Sequence, residues 1–258
     1  MRFSTWSPTR RSRAVVVAVG SGWHGADTAD LGIDLAVALA RLNQRVLLLD
    51  AALGVGGACA RLGLPDSATL EDVRSGADAR RKAIHSGPEG IRVVAAAGRQ
   101  ADILCQTAVA RALESCAPPF DYLMIDCGPA RIAGTLGFIA RADEVLMVLT
   151  PEVAALRGAY RMVMQLALDH GRTDFLVVTR AVEDETAGVA LFHHFREQVE
   201  QAVPIGLVHL GTIAQDARLG SDIAESALLF RDYLVATPPT SGRFFQPEIE
   251  PAAHLAFV

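Results

Sequence analysis

Several short runs of the chain are predominantly apolar without alternation, and stretches of helical period separate them. The runs are "AVVVAV" (14–19), "RVLLLD" (45–50), "IRVVAA" (91–96), "YLMID" (122–126), "EVLMVL" (144–149), "FLVVT" (175–179) and "GLVHL" (206–210). A strand with one wet face alternates apolar and polar residues. These runs do not, so both of their faces are expected to be covered. Helix-period segments fall at 29–42, 102–116, 130–141, 152–170 and 185–202. Strands apolar on both sides, joined by helices, imply right-handed crossovers and a mainly parallel sheet. The pattern predicts one doubly wound α/β domain over 14–242, with helices on both faces. A basic tail (1–13) precedes it and an irregular tail (243–258) follows.

In such sheets ligands sit outside the carboxyl ends of the strands. The candidate polar residues fall there: Asp50, Asp126, Thr150-Pro151-Glu152 and Thr179-Arg180. A strand-end aspartate is commonly only a cap or turn residue. Two of them share an edge with a glycine-bearing loop, "GSGWHGADT" (20–28), between a strand and a helix. That combination points to a nucleotide-type architecture.

Composition removes other classes. The net charge of −5 over 258 residues gives no basic field to recruit nucleic acid or anionic lipid. Cys59, Cys105, Cys116 and Cys127 are widely spaced, with no CxxC and no zinc-type spacing, so no metal site is expected. No apolar run approaches the ~20 residues of a membrane span. A cytoplasmic protein is expected, reaching the inner membrane only through partners. His193 and His194, being adjacent, face different sides of a helix. The run Glu183-Asp184-Glu185 is expected to open a helix, where carboxylates meet the positive end of the dipole.

The segment "VAVGSGWHGADTADLGIDLAVALARLNQRVLLLDAALG" (16–54) resembles the opening of the MinD/ParA family of deviant Walker A ATPases, and within it the FlhG/FleN type of flagellar-number regulator. The likeness continues through "DYLMIDCGPARIAGTLGFIARADEVLMVLTPEVAALRGAY" (121–160), similar to that family's Walker B and switch II regions. It implies a P-loop NTPase fold.

Residue by residue, the resemblance puts Gly22 and Gly25 at glycine positions of the phosphate loop. Trp23 stands where a lysine crosses between subunits, and His24 replaces a glycine. Ala26 takes a variable position, and Asp27 replaces the glycine before the P-loop lysine. Thr28 stands for that lysine, and Ala29 for the magnesium-binding hydroxyl residue. Asp50 matches the first aspartate after strand two, Ala52 replaces the second, and Asp126 matches Walker B. Thr179 and Arg180 fall on the adenine side. Lys82 is the only lysine in the chain, and no arginine lies between Arg13 and Arg41.

A phosphate cradle needs a cation on the β/γ-phosphates and a hydroxyl on Mg²⁺. A carboxylate ~5 Å from a phosphate charge costs about 3 kcal/mol at an effective dielectric of ~20. The resemblance therefore implies a regulator or adaptor without catalysis, working through protein partners of a flagellar or cell-surface system. No cofactor is expected, and a homodimer would form without nucleotide. The alternative is a divergent ATPase of the same family that still takes Mg-ATP.

Overall fold

The computed structural model describes residues 14–23, 28–52, 56–65, 72, 82–96, 120–129 and 133–214. The helix expected at 102–116, both tails and the loop residues His24, Gly25, Ala26 and Asp27 lie outside them. In chain order the elements are β1 (Val15–Ser21), α1 (Thr28–Arg41), β2 (Val46–Asp50), α2 (Ala58–Arg61) and β3 (His85–Ser86). A 3₁₀ turn (Pro88–Gly90) leads to β4 (Arg92–Ala95), β5 (Tyr122–Pro129), α3 (Ala133–Arg141) and β6 (Glu144–Leu149). Then come α4 (Val153–His170), β7 (Asp174–Val182), α5 (Glu185–Glu200) and β8 (Gly206–Ala214).

The strands form one sheet in the order β3-β4-β2-β5-β1-β6-β7-β8. Every pairing is parallel except that of β3 with β4. This is the mainly parallel, doubly wound sheet the pattern predicts. The chain winds outward from β1 in both directions, so the loop after β1 opens where the order reverses, flanked by β5 and β6.

Two cores follow from the period-2 alternation of the strands. Val15, Val17 and Val19 face Leu31, Leu35 and Leu39 of α1. Val16 and Ala18 face the opposite layer, with Phe138 of α3, Met162 and Leu166 of α4, and Phe192 and Phe195 of α5. At the amino edge, Arg172 is a staple. Its guanidinium donates to the carbonyls of Ala142 (2.6 Å), Asp143 (2.9 Å) and Asp174 (3.0 Å). Asp143 in turn accepts the backbone N–H of Val16 at 2.9 Å, fixing β1 against β6. Asp184 does open α5, as its acidic run suggests, accepting the Ala187 N–H at 2.8 Å.

Four strands outrun their sequence limits. β1 continues to Ser21, β5 to Pro129, β7 to Val182 and β8 to Ala214. Beyond Arg180, β7 keeps pairing through a bulge at Ala181, whose φ is 58°. Thr179 is consequently inside a strand and not at its end.

Candidate functional site

Asp50 and Asp126 are register partners on the adjacent parallel strands β2 and β5. By alternation both project toward the α1 layer. Asp126 is fully buried. Its Oδ1 accepts the Thr28 hydroxyl at 3.0 Å and the Gly128 N–H at 3.0 Å. Its Oδ2 is buried with no hydrogen-bond partner among the described residues. Burial, reinforced by the neighbouring Asp50 charge, pushes the Asp126 carboxyl up to about 7 against the pull of these bonds.

Asp50 does a different job. Its carboxylate accepts the Cys59 N–H at 2.7 Å and the Ala52 N–H at 3.2 Å, which anchors the start of α2. Gly57 lies so close that any Cβ there would strike the Asp50 carboxylate. Ala52 sits beside Gly128, at the step where β5 turns away. The Cys127 thiol, buried next to Asp126, is pushed well above its ordinary range by burial and carries no reactive thiolate.

Thr28 begins α1, and its hydroxyl faces Asp126 directly. Counting along the motif assigns the hydroxyl role to position 29, but Ala29 is buried in α1 and cannot make this bond. Magnesium in P-loop enzymes lies between the loop hydroxyl and the Walker B aspartate. The Thr28 hydroxyl thus makes the contact with the Walker B aspartate position that the motif count would give to a hydroxyl at 29, while the count itself puts Thr28 at the lysine position. Gly22 rests directly on α4, where a side chain at either Gly22 or Gly158 would collide with the other's backbone. Trp23 follows on the surface at 38% exposure, its carbonyl held by the Ser21 hydroxyl at 2.9 Å.

The structure does not bring Thr179 and Arg180 to a common point. Thr179 is fully buried and faces the α5 layer, its hydroxyl within 3.1 Å of His209 Nε2 and 3.0 Å of the Thr212 hydroxyl. His209 stacks on Phe192 with centroids 4.8 Å apart, and burial lowers its basicity. Arg180 faces the other way, toward Asp34 of α1. Burial and the Asp30 charge push the Asp34 carboxyl up to about 6, and Arg180 opposes the rise.

Sequence reasoning passed over three features. The Asp50 cap of α2 had no readable signal, because four residues show no helical period. The Gly22–Gly158 contact depends on a tertiary approach. The third was legible: Val153, Leu156, Arg157, Tyr160 and Arg161 recur at i, i+3, i+4, i+7 and i+8. Such a stripe normally faces a core. Here the fully buried side of α4 is Ala155, Gly158, Ala159, Met162, Val163 and Leu166, and of the stripe only Leu156 and Tyr160 reach the edge of the core. Among the described residues no helix is long and apolar enough to cross a membrane, and no group of His, Cys, Asp and Glu could hold a metal ion.

Comparison with known proteins gives the frame for these contacts. No protein-family model matches the chain. The antiactivator FleN of Pseudomonas aeruginosa is 29% identical over 223 residues, 84% of this chain and 80% of FleN. The septum site-determining protein MinD of a Synechocystis species is 33% identical over 172 residues, covering 64% of each chain. The chain thus spans just under two thirds of that relative's length. Among solved structures, MinD in the Aquifex aeolicus MinC:MinD complex superposes with a TM-score of 0.64 at 20% identity, over 85% of this chain and 96% of that one. The Pyrococcus furiosus cell division ATPase MinD gives 0.63 at 16% identity, over 85% and 99%. These likenesses establish a P-loop NTPase fold. The sequence relatives, FleN and MinD among them, agree with that fold, which is the one MinD and ParA proteins share.

Proposed function

We propose that this chain is a MinD/ParA-like regulator that works through protein contacts without a nucleotide switch, in the placement or number control of flagellar or other cell-surface machinery. The charge of the crevice carries this reading. Between Arg13 and Arg41 there is no lysine or arginine, while Asp27, Asp30 and Asp34 all fall in that span. Across from the start of α1 stand Asp50 and Asp126, with an unpartnered oxygen of Asp126 buried between elements. The carboxylates and the Thr28 hydroxyl could face a magnesium ion, but no lysine or arginine of this span offsets the phosphates, and Asp27, Asp30 and Asp34 oppose them. Contacts with proteins are what the names of the relatives suggest: FleN is an antiactivator, and MinD was solved bound to MinC. Trp23, exposed on the loop, is an aromatic anchor of the kind interfaces use, and suits a homodimer that forms without ATP. The expected setting is the cytoplasm, near the inner membrane only through partners.

One observation favours the divergent-ATPase reading. The Thr28 hydroxyl is already on Asp126, the pairing that surrounds magnesium in active P-loop proteins. Calorimetric titration with Mg-ATP separates the two. The regulator reading expects no binding tighter than ~10 μM, about −7 kcal/mol, and no phosphate release. A tighter complex overturns it.

A further inference from the structure

We infer that the groove between α4 and α5 is a docking site for an acidic, apolar-bearing segment of a partner protein, an inference that rests on the protein-contact reading above. The groove has a volume of about 840 Å³. Its α4 wall is a stripe whose Leu156 and Tyr160 are half-buried against the edge of the core and whose Val153, Arg157 and Arg161 are exposed. Val153 is 62% exposed, and Leu156 and Tyr160 line the groove below it. Arg157 and Arg161 rise from the same wall one helical turn apart. No ion pair joins either of them to a carboxylate among the described residues, whereas Arg196 nearby is matched by Glu200 at 3.8 Å. The α5 wall is neutral and polar, with the His194 ring and the Gln198 amide bonded to each other at 3.1 Å. Among the described residues no Asp or Glu lines the groove.

This chemistry selects the occupant. Two guanidiniums four residues apart match two carboxylates at helical i, i+4 spacing on an incoming segment. The apolar strip between the walls asks for one aliphatic or aromatic side chain between those carboxylates. Tyrosine and arginine are the residue types that carry binding energy at protein interfaces, and an amphipathic helix laid in a groove is a common way to engage them. A polyanion is the poorer match. Net charge is −5, so two arginines stand without the field that holds nucleic acid or an anionic bilayer.

The test uses the full chain and three fluorescein-labelled 14-residue amphipathic peptides. One carries glutamates flanking leucines, one has lysines in place of the glutamates, and one has serines in place of the leucines. Fluorescence anisotropy is read with no nucleotide present. The glutamate–leucine peptide is expected to bind, and the other two at least tenfold more weakly. The double variant Arg157→Glu/Arg161→Glu should reverse the preference, losing the acidic peptide and gaining the lysine one, a gain that an unfolded protein cannot show. Tyr160→Ala should weaken the acidic peptide without reversing the preference. No binding of the acidic peptide overturns the inference, as does binding that the charge reversal leaves unchanged. It is equally overturned if the double variant abolishes self-association or adhesion to phosphatidylserine vesicles while peptide binding is absent. The nucleotide titration is a separate measurement. Peptide binding together with tight Mg-ATP binding would keep this surface and remove only the nucleotide-free reading.

Discussion

Replacing Asp126 by asparagine is expected to stabilise the protein above neutral pH and to leave it nearly unchanged below. The Asp126 carboxyl is raised from 3.8 to about 7 by burial and by Asp50. The folded state therefore holds a proton that the unfolded chain releases between those values. Stability from this group is complete below about pH 4 and is lost as pH rises through about 7. Three pH units correspond to a ceiling of about 4 kcal/mol. Asparagine keeps an Oδ1 that can accept from Thr28 and the Gly128 N–H, and it places an amide nitrogen at Oδ2, which lacks a full hydrogen bond but has the Ala58 N–H nearby. A buried amide left without an acceptor costs about 1–3 kcal/mol, so the net gain at pH 8 is about 1–3 kcal/mol. At pH 5 the unfolded carboxyl is already ionised, a linkage loss to wild type of about 2 kcal/mol that offsets the amide cost, so the two proteins should agree within about 1–2 kcal/mol. Urea unfolding at both pH values measures the difference. A variant less stable than wild type at pH 8, or a difference independent of pH, would refute the reasoning.

Glu144, raised to about 7 mainly by burial, acts in the same direction, so wild-type stability should fall from pH 5 to pH 8 and Glu144→Gln should flatten that slope in urea titrations. Arg172→Met leaves three carbonyls without their donor and should cost about 3–5 kcal/mol, with Arg172→Lys recovering only part because an ammonium cannot fork to three acceptors. Gly158→Ala drives a methyl into the backbone of Gly22. It should cost about 1–3 kcal/mol and shift the emission of Trp23, read in a Trp6→Phe background.

Much of the architecture is written in the alternation of the chain. Val15 to Val19 are apolar throughout because α1 covers one face and α3 and α4 the other. That register also placed Asp50 beside Asp126, since both close strands that pair in parallel. The side chains of Thr179 and Arg180 were misjudged because β7 was expected to stop there. A strand that continues sends neighbours to opposite faces, and only the bulge at Ala181 lets it continue. Asp50 stands at the motif's first aspartate, and in the structure its carboxylate also accepts backbone N–H groups. Its occupation by the N–H groups of α2 depends on Gly57 approaching closely, a contact between segments that no local pattern announces. The stripe on α4 was visible as periodicity, but which of two stripes turns inward is decided by packing against β1 and β6.

The loop register can itself be decided by experiment, because sequence and geometry disagree by one residue. The motif count puts the lysine position at Thr28 and the hydroxyl at Ala29, which makes Asp27→Gly/Thr28→Lys/Ala29→Thr the repair that should restore a phosphate cradle. In the structure Thr28 is 6% exposed, with its hydroxyl on Asp126, and Ala29 is 3% exposed within α1. A lysine at 28 would start beside the buried acidic pair and neutralise Asp126 before it could reach a phosphate. A threonine at 29 would have to be fitted into a filled layer. The residue before the hydroxyl is Asp27, so geometry selects Ala26→Gly/Asp27→Lys as the effective repair. It keeps Thr28 on Asp126 and changes the local charge by two units. One charge contact of that kind is worth about 3 kcal/mol at ~5 Å and an effective dielectric of ~20, roughly a hundredfold in affinity. Calorimetry with Mg-ATP should therefore detect binding by the double variant and none by the triple one, with both checked for folding by circular dichroism. Hydrolysis should stay negligible in either, because Ala52 offers no group to orient water. If the triple variant binds and the double does not, Thr28 is the lysine position after all, and its bond to Asp126 is a substitute contact and not the remnant of a magnesium site.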